Sequence, residues 1–391
     1  MDKPTVIHGD SREQLKQFPD CFFDSVATDP PYALVSITKR FGADGAAAAK
    51  SNDAYMRVSA GFMGQQWDNG STAFDPDFWL EVLRVLKPGA HLVAFGGTRT
   101  YHRLACAIED AGFEIRDQLQ WVFGSGFPKS HNLHGDHEGW GTALKPSTEP
   151  IVLARKPLSE KTVAANVLRW GTGALHVDAC RVESDEDQRR PSSGGENGLA
   201  GTSTVKIRAR HVDEQKIQGR WPANVLHDGS DDVLAGFPDS EGQQGIVAGD
   251  EPSSCHSGVY SGPRDRQPFG KRGDSGSAAR FFYSPKADTH DRLGSKHPTV
   301  KPVDLMAWLV RLVTPVGGVV LDPFAGSGTT GEAAWREGCR AVLIEREQRF
   351  VDDITRRMAL LSGSDRERTQ AIVTAKGHTA AAGPLFDQAK P

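Results

Sequence analysis

Cysteine is scarce. The 391 residues hold five, Cys21, Cys106, Cys180, Cys255 and Cys339, each isolated from the others. Without a Cys-x-x-Cys pair, the sequence argues against a thiolate zinc site and a disulfide framework, and it suits a reducing cytoplasm. Long apolar runs are missing too. No stretch approaches the roughly 20 residues that span a bilayer, and Met1-Asp2-Lys3-Pro4 does not read as a signal peptide. Excess basic charge is absent, with a net charge of −4 and a pI of about 6.4. Bulk attraction to nucleic acid therefore has no support, although a local basic face is enough for phosphate contacts. There is no internal repeat and no nuclease motif. The composition, 38% apolar and 25% charged, is that of a soluble globular chain longer than one minimal domain.

Against that background two polar stretches stand out, each after an apolar run that reads as a buried strand. Ser25-Val26-Ala27-Thr28 leads into Asp29-Pro30-Pro31-Tyr32. Gly318-Val319-Val320-Leu321 leads into Asp322-Pro323-Phe324-Ala325-Gly326-Ser327-Gly328-Thr329. Open α/β sheets bind ligands at the carboxyl ends of parallel strands. The two stretches are thus expected side by side in space, though far apart in the chain.

The first stretch suits an exocyclic amine, whose lone pair is delocalised into its ring. A carboxylate and a fixed carbonyl that accept the two amine hydrogens draw the nitrogen towards tetrahedral geometry and free the lone pair. Asp29 would supply the carboxylate and Pro30 the carbonyl; consecutive prolines fix φ and remove competing N–H groups. Tyr32 offers a ring face for a base. From the tetrapeptide alone an ordinary strand-to-turn breaker remains open. In the second stretch, Gly326 and Gly328 permit close backbone approach and Thr329-Thr330 can open a helix, as in a nucleotide-binding turn. No Lys-Ser/Thr pair follows, so it is not a phosphate-binding P-loop. Glu345 ends the next apolar run, roughly twenty residues on, where a ribose-binding carboxylate belongs. A dinucleotide oxidoreductase is the competing reading.

Together the two motifs resemble the amino-group DNA methyltransferases, which methylate adenine N6 or cytosine N4 with S-adenosyl-L-methionine. Their order, catalytic motif first and cofactor motif last, is similar to the permuted β-type arrangement. Lys296-His297-Pro298-Thr299-Val300-Lys301-Pro302 matches the segment preceding the cofactor strand in that group. Gly61-Phe62-Met63-Gly64, Trp67-Asp68 and Phe281-Phe282-Tyr283-Ser284-Pro285-Lys286 resemble phage and prophage members. The likeness misses mainly the middle and the tail. It implies an α/β fold of the Rossmann-like methyltransferase type, a doubly wound mixed sheet with an inserted irregular target recognition region. It implies Asp29, Pro30, Pro31 and Tyr32 as catalytic, and Asp322, Pro323, Phe324, Ala325, Gly326, Ser327, Gly328, Thr329, Thr330 and Glu345 as cofactor-binding. Asp10 would contact the cofactor's adenine, with a helix N-cap as the compatible alternative. Thr299 and Lys301 would meet its methionine carboxylate, or serve as ordinary capping. No metal is needed, and no Pro-Cys pair exists to supply a cytosine C5 enzyme's thiol. The activity implied is site-specific methylation of a flipped base, adenine N6 first because Asp at this motif tends to go with adenine, cytosine N4 second. The rivals are an RNA or protein methyltransferase, where Asn usually heads the motif, and a catalytically silent DNA-binding protein.

The expected organisation is a catalytic half over 1–156, a target recognition region over 157–285, a cofactor-binding half over 286–361 and a disordered tail over 362–391. After Tyr32 a Gly/Ala/Ser-rich stretch to about Gly70 reads as a lid over the flipped base. A helix from Asp75-Pro76 carries Trp79, Val82, Leu83 and Leu86 on one face and stops at Lys87-Pro88-Gly89; a strand over Ala90–Phe95, a helix over Arg99–Asp110 and a strand over Phe113–Phe123 follow. Glu149–Leu153 reads as an antiparallel partner. Lys301-Pro302 opens a helix with Leu305, Met306, Leu309, Leu312 and Val313 inward, and a last helix over Gln348–Leu361 buries Phe350, Ile354 and Met358. DNA contacts are expected from Lys129 and Ser130, and from the basic middle region that includes Arg208, Arg210, Arg264 and Arg266. His131, His134 and His137 recur at three-residue spacing, but nothing completes a metal ligand set. Gly383-Pro384-Leu385-Phe386 weakly resembles a sliding-clamp-binding peptide without its upstream Gln. The partner expected is double-stranded DNA, with no membrane and with homodimerisation open.

Overall fold

In the computed structural model the described residues are 2–32, 72–126, 130–187, 218–241, 275–285, 291–295, 297 and 299–381. The expected lid, Lys129, Arg208, Arg210, Arg264, Arg266 and the tip at 383–386 lie outside them.

The strands are β1 (Thr5–His8), β2 (Phe23–Thr28), β3 (Leu86–Phe95), β4 (Glu114–Val122), β5 (Thr148–Arg155), β6 (Val182–Asp187), β7 (Gln218–Arg220), β8 (Val225–His227), β9 (Asp239–Glu241), β10 (Ser275–Ser277), β11 (Val319–Asp322) and β12 (Arg340–Glu345). The helices are α1 (Ser11–Gln14), α2 (Pro76–Val85), α3 (Tyr101–Asp110), α4 (Val163–Trp170), α5 (Asp231–Leu234), α6 (Val303–Val313), α7 (Thr329–Arg336), α8 (Gln348–Ala359) and α9 (Asp365–Ala381).

One sheet of eight strands runs in the order β1-β12-β11-β2-β3-β5-β4-β8. Its neighbours are parallel except around β5, which is antiparallel to both β3 and β4. This is the doubly wound mixed sheet that the motifs imply. Strands β2 and β11 are buried along their whole length, as continuous apolar runs in a sheet covered on both faces should be. They pair through Ser25↔Val320 and Val26↔Leu321, so their carboxyl ends deliver Asp29 and Asp322 to one edge. Strand β3 ends there too. Because β5 is reversed, it is its amino end, Thr148-Glu149, that reaches this edge, with Gly96 N–H donating to Pro150 O at 2.9 Å.

Local chemistry explains the helices. Asp75 caps α2 by accepting from Asp77 N–H, and Pro76 occupies the first turn. The buried face of α2 is Phe78, Trp79, Val82 and Val85. The expected face placed Leu83 and Leu86 there instead, but the helix stops at Val85 and Leu86 already begins β3. The β2–β3 ladder then jumps from Phe23↔Leu86 to Ser25↔His91, so Lys87-Pro88-Gly89 is an irregular strand opening and not a free turn. In α6 all five predicted core residues are buried, as are Phe350, Ile354 and Met358 of α8.

The chain divides into two units, one made of 1–180, 224–233 and 284–391, the other of 181–223 and 234–283. The second unit begins at 181, while 157–180 fall in the first. Buried Asn166 of α4 donates to Pro88 O and Thr172 O, both at 2.8 Å, which ties 157–180 to the opening of β3. The 224–233 segment supplies β8, a sheet strand beside β4. In the second unit, β6 pairs with β7 and β9 with β10, both antiparallel. The expected disordered tail is in part the helix α9, anchored by buried Arg368, which meets Glu332 at 2.7 Å. Among the described residues no helix is long and apolar enough to cross a membrane.

Candidate active site

The carboxyl edge brings together the two predicted motifs. A small cavity open to solvent is lined by Asp29, His297, Thr299, Lys301, Met306, Asp322, Phe324, Ala325, Gly326, Ser327, Thr329 and Thr330. Of the predicted residues, Asp10, Pro30, Pro31, Tyr32, Pro323, Gly328 and Glu345 are not in that lining.

The centre of the cluster is Lys301. Its Nζ lies 2.7 Å from Asp29 Oδ2, 3.1 Å from Tyr32 Oη and 3.3 Å from Glu149 Oε2. It also sits over the Phe95 ring at 4.8 Å and the Tyr32 ring at 5.4 Å. Burial works against the ammonium, but the carboxylates of Asp29 and Glu149 outweigh it and hold Lys301 above the ordinary lysine range. Lys301 was expected to meet a cofactor carboxylate or to serve as ordinary capping; here its donors face Asp29, Tyr32 and Glu149. Asp29 Oδ1 is buried and has no hydrogen-bond partner among the described residues. Tyr32 is held from behind, its carbonyl accepting from Thr100 Oγ1 at 2.7 Å. Burial, then the charges of Asp29 and Glu149, push its phenol well above the usual range, so it stays neutral.

The glycine turn is built to stay open. Asp322 accepts from Thr28 Oγ1 at 2.7 Å, Thr330 Oγ1 at 2.5 Å and Phe324 N–H at 3.1 Å, which locks the end of β11 to β2 and to α7. Burial raises Asp322 to about 6 despite these bonds. Its place in the fold is that of a strut beneath the turn. Glu345, at the end of β12, accepts from Gly326 N–H at 2.9 Å and Glu347 N–H at 2.8 Å, and burial lifts it to about 7. Gly326 has φ +52°, and a Cβ there would lie 3.1 Å from His297 Nε2. Gly328, at φ +78°, would place a Cβ 3.0 Å from Ile354 Cγ2. Gly328→Ala is therefore expected to cost about 1–2 kcal/mol from the left-handed backbone alone, read as a lowered midpoint in thermal unfolding; an unchanged midpoint would mean the turn relaxes freely.

His297 packs edge-on against Phe350, with ring centroids 4.6 Å apart, and burial pushes its imidazole down to about 4, so it is neutral. Asp10 caps α1, accepting from Arg12 N–H at 3.0 Å and pairing with its guanidinium at 2.8 Å, so the capping alternative is realised. The Arg12 hydrogen bond holds its carboxyl below the usual range. Ser130, expected at DNA, uses its hydroxyl to accept from Thr142 N–H at 2.9 Å and so closes its own loop. His131, His134 and His137 are exposed.

Two residues escaped the sequence reading. Glu149 was seen as a strand start, and its place follows from the reversal of β5. Arg357 lies on the inward face of α8, three residues after Ile354 and one before Met358. It is buried, donates to Ser327 O at 2.8 Å and to Asp291 O, and pairs with fully buried Glu332 at 2.6 Å.

Among curated proteins, the Type II methyltransferase M2.DpnII of Streptococcus pneumoniae is 38% identical over 68 residues, 17% of this chain and 25% of that protein. The Type II methyltransferase M.HindIII of Haemophilus influenzae is 32% identical over 268 residues, 65% of this chain and 58% of that protein. The chain thus spans a quarter of the first relative and just over half of the second. Of solved structures, the M1.HpyAVI–SAM complex aligns at 15% identity and TM-score 0.40, covering 90% of this chain and 98% of that one. The cytosine-N4-specific PvuII DNA methyltransferase aligns at 15% identity and TM-score 0.42, covering 96% and 93%. The DNA methylase family model for N6 and N4 enzymes matches residues 23–356, and on that match this chain belongs to the N6/N4 DNA methylase family.

Proposed function

We propose that the chain moves a methyl group from S-adenosyl-L-methionine to the exocyclic amine of a base in double-stranded DNA, at adenine N6 by first choice and cytosine N4 as the alternative. The observation that carries this is Asp29 Oδ1, a buried acceptor with no partner among the described residues, at the wall of a cavity whose other wall is the glycine turn. A buried polar atom without a partner is costly in a fold and is retained where a ligand satisfies it.

The residues fit the cofactor. Gly326 brings bare main chain to the wall of the pocket, and Thr299, Ser327 and Thr329 put small polar groups around it. These residues would hold the cofactor's amino acid and nucleoside parts, with Glu345 placed at the end of β12 for ribose hydroxyls. When bound, the cofactor supplies an electrophilic methyl on a sulfonium. The protein's part is orientation. Asp29 Oδ1 accepts one amine hydrogen and the Pro30 carbonyl the other, which frees the nitrogen lone pair. Tyr32 presents its ring for stacking, and base extrusion, which costs a few kcal/mol, is offset by those contacts. Selection of the DNA sequence is assigned to the second unit, where Arg181 lies over Trp221 at 5.2 Å and Arg280 over Phe281 at 4.4 Å.

The test is transfer of a labelled methyl group from S-adenosyl-L-methionine to unmethylated DNA, followed by chromatography of the nucleosides. N6-methyladenine is the expected product. N4-methylcytosine would move the target to the second choice, and label in RNA or protein with none in DNA would overturn the proposal.

A further inference from the structure

Lys301 has three N–H groups and no acceptor, and three oxygens surround it: Asp29 Oδ2, Tyr32 Oη and Glu149 Oε2. Its side chain is 8% exposed. The donors are fully used, so Lys301 is committed to holding the cluster together. Two carboxylates share one ammonium, and the formal sum is one negative charge beside the cavity. If Asp29 and Lys301 stood alone, that sum would be zero, and the ammonium would have one carboxylate to restrain it. Glu149 supplies the difference, from a strand whose reversed direction serves to bring it here. It is not part of the cavity lining, so it acts through Lys301.

We propose that Glu149 is a positioning residue for methyl transfer: by sharing the Lys301 ammonium it keeps Asp29 Oδ1 turned to the cavity and leaves the cluster one net negative charge to face the positive charge that develops on the amine nitrogen as the sulfonium gives up its methyl. This rests on the function proposed above.

The test uses the full chain with Glu149→Gln, which keeps the shape and removes the charge. The kcat for transfer to DNA should fall about ten- to hundredfold, the effect of a loosened near-attack geometry, while calorimetric binding of S-adenosyl-L-methionine stays near the wild-type value. A second readout separates positioning from packing. The groups facing Lys301 are Asp29, Tyr32, Glu149 and, across the cavity, His297 and Asp322. Burial lowers Lys301 and the two carboxylates raise it; with one carboxylate gone, the ammonium loses its proton at lower pH. The alkaline limb of the kcat profile should therefore move to lower pH in the variant. Glu149→Asp, which keeps the charge, should restore the limb, and it carries the test if the Gln variant does not fold. A wild type without transfer would end the underlying reading. A wild type that transfers, with a variant equal in rate or slower with an unmoved limb, would overturn this inference alone.

Discussion

Asp29→Asn is expected to reduce single-turnover methyl transfer by about a hundred- to a thousandfold, the loss typical of one removed transition-state hydrogen-bond group. The reasoning starts from Lys301. Its ammonium is a donor 2.7 Å from Asp29 Oδ2, so an asparagine at 29 would turn its amide oxygen to Lys301. That leaves the NH₂ where Oδ1 stood. The position facing the substrate amine would change from acceptor to donor, and a donor there opposes the two amine hydrogens. The volume of the side chain is unchanged, and Asp29 does not hold the glycine turn, whose struts are Asp322 and Glu345. Affinity for S-adenosyl-L-methionine should accordingly be near wild type by calorimetry. Long-read sequencing of DNA from methylation-deficient cells gives the same answer in vivo: a modified base at a defined site with wild type and none with the variant. Transfer at the wild-type rate by Asp29→Asn would remove Asp29 from the chemistry.

Much of this site could be read from residues because two motifs followed two buried apolar runs, and parallel strands put their carboxyl ends on one edge. That β2 and β11 are neighbours is a matter of pairing, which that rule leaves open. The face of α6 was legible for a similar reason: Leu305, Met306, Leu309, Leu312 and Val313 have helical spacing and are all buried. The end of α2 was not. Leu86 continues the apolar spacing of the helix, yet its backbone joins β3, and only the pairing with Phe23 decides between them.

The parts that stayed hidden depend on tertiary placement. Glu149 is an unremarkable acidic residue before Pro-Ile-Val-Leu; an antiparallel strand was expected there, but its pairing with β3, which sets Glu149 beside Lys301, was not. For Lys301 the expectation was the cofactor's carboxylate or ordinary capping; its oxygen partners Asp29, Tyr32 and Glu149 come from two distant segments of the chain. Helix α9 has no apolar stripe to announce it. One arginine, Arg368, reaching a buried carboxylate fixes its start.

That carboxylate, Glu332, underlies the second large effect. It is fully buried and meets Arg357 at 2.6 Å, Arg368 at 2.7 Å and Arg336 at 2.8 Å. Burial would raise its pKa, but Arg357 and Arg368 outweigh burial and hold it below the ordinary range. Deep burial pulls Arg357 down from the usual guanidinium range, against the carboxylates of Glu332 and Asp291, without discharging it. Arg357→Met should destabilise the chain by about 1–3 kcal/mol for each buried acceptor it leaves short, Glu332 itself keeping Arg368 and Arg336. The carbonyls of Ser327 and Asp291 lose their donor at the same time, so the glycine turn should loosen and cofactor affinity should fall with stability. This distinguishes Arg357→Met from Asp29→Asn, in which affinity holds and rate collapses. The sign of the pH effect follows from Glu332. A carboxyl lowered in the folded state contributes stability above its unfolded pKa, and that contribution is lost as pH falls through the folded value. In urea unfolding, wild type should lose stability on acidification below the ordinary carboxylate range, and Glu332→Gln should flatten that loss. In a double-mutant cycle, Glu332→Gln with Arg357→Met should cost less than the two single losses together, because the second change removes the charge that the first left stranded. Additive losses would mean that the pair is not coupled and that Arg357 matters only through the carbonyls it holds.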